Sequence, residues 1–86
     1  MIWLLKKEVS VKVGIRRGRI DRMTEKKAIE IERSGDPDKI RWACRKLKAT
    51  RKRHKILRVP DWHVKKARQI ASKVSSSIKV QNLSGD

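Results

Sequence analysis

The chain predicts a mainly α fold, a small helical domain of two or three helices with room for a short N-terminal β-hairpin. Three observations predict it. Asp36-Pro37-Asp38 is a helix-start signal, with a capping carboxylate followed by a proline at the first helical position. Ile40, Ala43, Cys44 and Leu47 then recur at helical spacing. Val64, Ala67, Ala71, Val74 and Ile78 form a second such stripe, whose two alanines suit close packing against another helix.

Residues 2–23 fit two templates. Val9, Val11, Val13 and Ile15 alternate with polar residues, as in a half-buried strand, and Arg17-Gly18 then marks a hairpin turn. The same segment fits a helix–turn–helix, with Ser10, Gly14 and Ile20 at its small, turn and apolar positions. That version leaves Val11 exposed and puts Gly18 inside a helix, at about 1 kcal/mol relative to Ala.

Thr24 can cap a helix from Glu25 to Arg33, with Ala28 and Ile31 on one face and Ser34-Gly35 ending it. The helix begun at Asp36 is read as running to Lys55, the longest in the chain. Pro60 forces a break, because the residue before a proline leaves helical geometry. Asp61 can cap a final helix from Trp62 to Ser75. Residues 79–86 read as a polar tail, leaving 1–78 as one small basic domain.

Charge carries the functional signal. The 86 residues hold 25 Lys and Arg against nine Asp and Glu, a formal net of +16. Residues 1–38 have ten basic and seven acidic side chains, a net of +3. Residues 39–86 have fifteen and two, a net of +13. Between Ile40 and Pro60 stand nine cations and no acid: Arg41, Arg45, Lys46, Lys48, Arg51, Lys52, Arg53, Lys55 and Arg58. A solvated surface run normally interleaves counter-charges, and this one has none. A phosphate backbone suits such a surface because each neutralised phosphate releases counterions. Arg16, Arg17, Arg19 and Arg22 form a second basic group, and Lys65, Lys66 and Arg68 a third.

These features predict a nucleic-acid-binding protein. The favoured form is double-stranded DNA held mainly through its phosphates, in an architectural or packaging role. A charge of +16 exceeds what a few base readers need. If about eight phosphates are neutralised, log affinity falls with log salt at a slope near −7. The alternatives are a sequence-specific helix–turn–helix regulator and a small ribosomal or other RNA-binding protein. A place in the cytoplasm or nucleoid, or inside a virion or ribosome, fits any of these, as does a homo-oligomer or larger nucleoprotein assembly.

Other classes are not expected. Cys44 is the only cysteine, so no internal disulfide forms. His54 and His63 share no ligand spacing with Cys44 or a carboxylate cluster, so no metal site, cofactor or catalytic residue is expected, and no enzyme. No Gly-rich phosphate loop is present. The apolar run Ile2–Leu5 is too short for a membrane span, and no membrane or small-molecule partner is expected. With no Phe or Tyr, Trp42 and Trp62 are expected as core anchors, and Trp3 as a core residue or an oligomer contact.

Overall fold

The computed structural model describes residues 6–13 and 16–86; for residues 6–12, 16 and 17 the description is confined to the backbone. It is an α/β domain, not a mainly helical one. The order is β1 (Lys6–Val13), β2 (Arg16–Met23), β3 (Lys27–Ile31), α1 (Pro37–Ala49), β4 (His54–Val59), a short 3-10 turn (Asp61–His63), α2 (Val64–Val74) and β5 (Ile78–Asn82). The strands form one mixed sheet in chain order, β1-β2-β3-β4-β5. The first two pairings are antiparallel; β3–β4 and β4–β5 are parallel. The parallel connections pass through α1 and α2, which pack side by side on one sheet face.

β1 and β2 pair as antiparallel neighbours, so the helix–turn–helix template does not apply. The turn expected at Arg17-Gly18 is not there: Gly18 lies inside β2, opposite Val11. Residues 14–15, which join the strands, lie outside the described residues, as do the Ile2–Leu5 run and Trp3.

The helix expected over Glu25–Arg33 is β3. Thr24 does make the bond that suggested a cap, since its Oγ1 accepts from Lys27 N–H at 3.1 Å. Thr24 N–H also donates to Lys27 C=O, which closes a tight turn instead of starting a helix. Beyond it the β-branched Ile29 and Ile31 favour the pleated sheet, where Ala28 and Glu30 point one way and the two isoleucines the other.

The start of α1 is as expected. Asp36 accepts from Asp38 N–H at 2.9 Å and Pro37 sits in the first turn. Its end is not. The helix stops at Ala49 instead of continuing to Lys55, because Thr50 turns extended (φ −77°, ψ 157°). Thr50 Oγ1 and N–H both bond Leu47 C=O, at 2.8 and 3.1 Å. Arg51–Lys55 would stack like charges one helical turn apart. The apolar period also changes there from 3.6 to 2, and His54–Val59 become β4.

The final helix keeps its seam: Ala67 and Ala71 are buried against α1. Asp61 does not cap it; Asp61–His63 form the 3-10 turn and α2 starts at Val64. Residues 79–82, expected in a polar tail, belong to β5, where Val80 is buried.

The core lies between the helices and the sheet. Ile40, Ala43, Cys44 and Leu47 of α1 and the two alanines of α2 meet Ile20, Ala28, Leu57, Val59, Ile78 and Val80. Cys44 is free and buried, and burial raises its thiol to about 11. Trp62 is 79% exposed, so it is not a core anchor. No helix among the described residues is long and apolar enough to cross a membrane.

Candidate nucleic-acid interface

The two helices carry nine cations and one carboxylate. The cations are Lys39, Arg41, Arg45, Lys46 and Lys48 on α1 and Lys65, Lys66, Arg68 and Lys73 on α2; the carboxylate is Asp38. Both helices must bury their apolar stripes inward, so most of this charge faces water. Arg41, Arg45 and Lys48 are exposed and rise along one side of α1 by ~6 Å and then ~4.5 Å. With Lys73, Val74, Ala49 and Val13 they line an open groove of about 490 Å³ between the helices and the end of β1. Arg41 pairs with Asp38 at 2.8 Å, but both side chains are well exposed, so the pair is weak.

The other sequence candidates disperse. Lys52, expected in step with Arg41, Arg45 and Lys48, lies beyond the helix, where its Nζ donates to Glu25 C=O at 3.2 Å. Lys55 Nζ reaches back to Lys48 C=O at 3.3 Å and covers a carbonyl near the α1 C-terminus. Lys66 bonds Gly35 C=O, and Arg58 Nε donates to Gln81 Oε1 at 3.4 Å. Arg51 and Arg53 are exposed in the loop after α1, Lys65 and Arg68 are exposed on α2, and Arg19 and Arg22 are exposed on β2. Arg16 and Arg17 lie in β2, with their side chains outside the described part.

Lys46 points inward. Its Nζ lies 3.0 Å from Glu30 Oε1 and donates to Arg19 C=O at 2.9 Å. The glycine opposite makes room for it: a Cβ on Gly18 would come within 2.6 Å of Lys46 Cδ and 2.8 Å of Trp42 Cζ2. Gly18 is therefore a packing glycine, where α1 approaches the strand backbone closely.

Glu30 was not anticipated as a site residue. It sits in β3 on the helix side and is only 3% exposed. Its strand partner β2 leaves it early, for the β2–β3 register pairs only Arg22 with Ile29 and Met23 with Ala28. Past that point Asp21 replaces the ladder, its Oδ2 accepting from Ile31 N–H at 2.8 Å. Glu30, Asp21 and Lys46 thus gather where the sheet changes from antiparallel to parallel pairing. Burial raises the Glu30 carboxyl to about 8; Asp21 adds to the rise, and the opposing pull of Lys46 does not overcome desolvation. Glu30 Oε1 makes no well-aligned hydrogen bond. The available sequence signal was one acid inside an alternating apolar run, Ala28-Ile29-Glu30-Ile31.

Among the described residues, no three His, Cys, Asp or Glu side chains gather as a metal site. In comparison with known proteins, no family model, no curated protein and no solved structure matches this chain.

Proposed function

We propose that the chain binds nucleic acid, with double-stranded DNA as the favoured ligand, through its phosphate backbone and in an architectural role. One observation carries the reading: the outer face of α1 and α2 presents Arg41, Arg45, Lys48 and Lys73 around one groove, with Asp38 as the only acid on either helix. Four phosphates neutralised there correspond to a salt slope of about −3.6. The further exposed cations Lys65 and Arg68 extend the same helical layer. Backbone binding predicts similar affinity for unrelated sequences of equal length. A competition titration tests this, with duplex DNA, duplex RNA and single strands at one salt concentration. Preference for duplex RNA converts the reading to a structural RNA-binding protein. Absence of binding to all three at low salt removes it.

A further inference from the structure

We propose that one chain holds two DNA duplexes at once, the second on the sheet face that the helices leave uncovered. This rests on the backbone-binding reading above and adds a second, separate surface to it. The cross-strand registers define that surface. Arg22, Ile29, Ile56 and Lys79 stand in one row across β2 to β5. Lys27 and His54 stand in the row before it, and Ile31, Arg58 and Gln81 in the row after. The intervening positions Ala28, Leu57, Ile78 and Val80 face the core, so these rows face away from the helices.

None of the three rows contains a carboxylate. The acid of β3, Glu30, alternates to the other side and is held there by Lys46. Lys27, His54 and Lys79 are exposed, and Arg53 joins them at the rim of an open groove of about 500 Å³. The groove floor is Ile56 and Gln81, both nearly buried and neither charged. A concave, cationic groove with no acid in its lining is complementary to a duplex edge and not to a protein of mixed charge.

The two basic surfaces are far enough apart to act together. A helix layer is ~10–12 Å thick, before the sheet is added. The screening length at physiological salt is ~8 Å. A duplex on the helical groove therefore does little to weaken the field at the sheet face, and cations on each side offset the repulsion between duplexes. A single binding surface would leave Lys27, Arg53 and Lys79 as uncompensated charge.

A co-capture assay tests the proposal. A biotinylated duplex on beads is mixed with the protein and a fluorescent duplex of unrelated sequence. Sedimentation of the eluted complex gives chains per duplex. The proposal expects the fluorescent duplex to be retained, with one chain joining two duplexes. The variant Lys27→Gln/Arg53→Gln/Lys79→Gln should still bind the bead duplex but lose at least tenfold of the carried duplex. Arg41→Gln/Arg45→Gln/Lys48→Gln should lose carriage to the same degree. Bead binding without carriage by the intact chain overturns the proposal and leaves the binding function standing. Undiminished carriage by the sheet-face variant overturns it, as does a complex with two chains per duplex pair. No bead binding at all overturns both.

Discussion

Replacing Lys46 with Met isolates the buried charge cluster. The substitution keeps most of the stem that lies over Gly18 and removes the ammonium 3.0 Å from Glu30. Two losses follow, and they depend differently on pH. The first is the hydrogen bond from Lys46 Nζ to Arg19 C=O, about 1–2 kcal/mol at both pH 5 and pH 9. The second is the partner of Glu30. At pH 5 Glu30 is protonated with or without Lys46, since burial raises its carboxyl to about 8. At pH 9 the intact chain holds an ionised Glu30 against a cation. The variant must then keep a proton that solution would remove or bury a lone charge. Breaking a buried pair by removing one partner costs about 3–5 kcal/mol. The loss on Lys46→Met should therefore grow by about 2 kcal/mol or more from pH 5 to pH 9. Total stability of a domain this size is on the order of 4–13 kcal/mol, so the change is measurable by urea unfolding followed by far-UV circular dichroism. A loss of equal size at both pH values would refute the coupling. So would a loss that Glu30→Gln, combined with Lys46→Met, does not relieve at pH 9.

The intact chain carries a related signature. Glu30 binds its proton more tightly folded than unfolded, so its contribution is complete below pH 4.5 and declines as pH rises towards 8. Unfolding free energy measured across that window should fall by a few kcal/mol, and Glu30→Gln should flatten the decline. Gly18→Ala places a methyl into the Lys46 stem and the Trp42 ring and should cost about 1–3 kcal/mol in the same denaturation assay. Trp62→Ala, at a side chain 79% exposed, should change stability by less than about 0.5 kcal/mol.

What the sequence disclosed was local chemistry. Asp36-Pro37 specified the start of α1 because a cap and a proline act within one turn. The Ala67–Ala71 seam specified the helix contact because small residues at helical spacing serve little else. The strands were harder to see because helix and strand signals overlap in short apolar runs. Thr24 makes the same hydroxyl-to-amide bond in a turn as in a cap, and only the alternation in Ala28–Ile31 separates the two. At Thr50 a change of period was hidden under a run of charge. β5 offers only Ile78, Val80 and a glutamine, and it is a strand because β4 gives it a parallel neighbour to pair with.

The site shows the same division. Arg41, Arg45 and Lys48 share a helix side by spacing alone, and spacing is visible in a sequence. Lys46 stands among them, and only tertiary contact sends it inward to Glu30. The basic rows of the sheet face combine Arg22, Lys27, His54, Arg58 and Lys79 from four strands. No stretch of sequence brings those residues together, so only the register reveals them.

We propose that the acid-poor helical layer meets phosphates. The most direct test of this claim is the salt dependence of duplex binding for the intact chain and for Arg41→Gln/Arg45→Gln/Lys48→Gln. Each lost phosphate contact should make the log–log slope shallower by about 0.9, so the variant should be shallower by nearly 3, at every duplex sequence tried. An unchanged slope would contradict the claim.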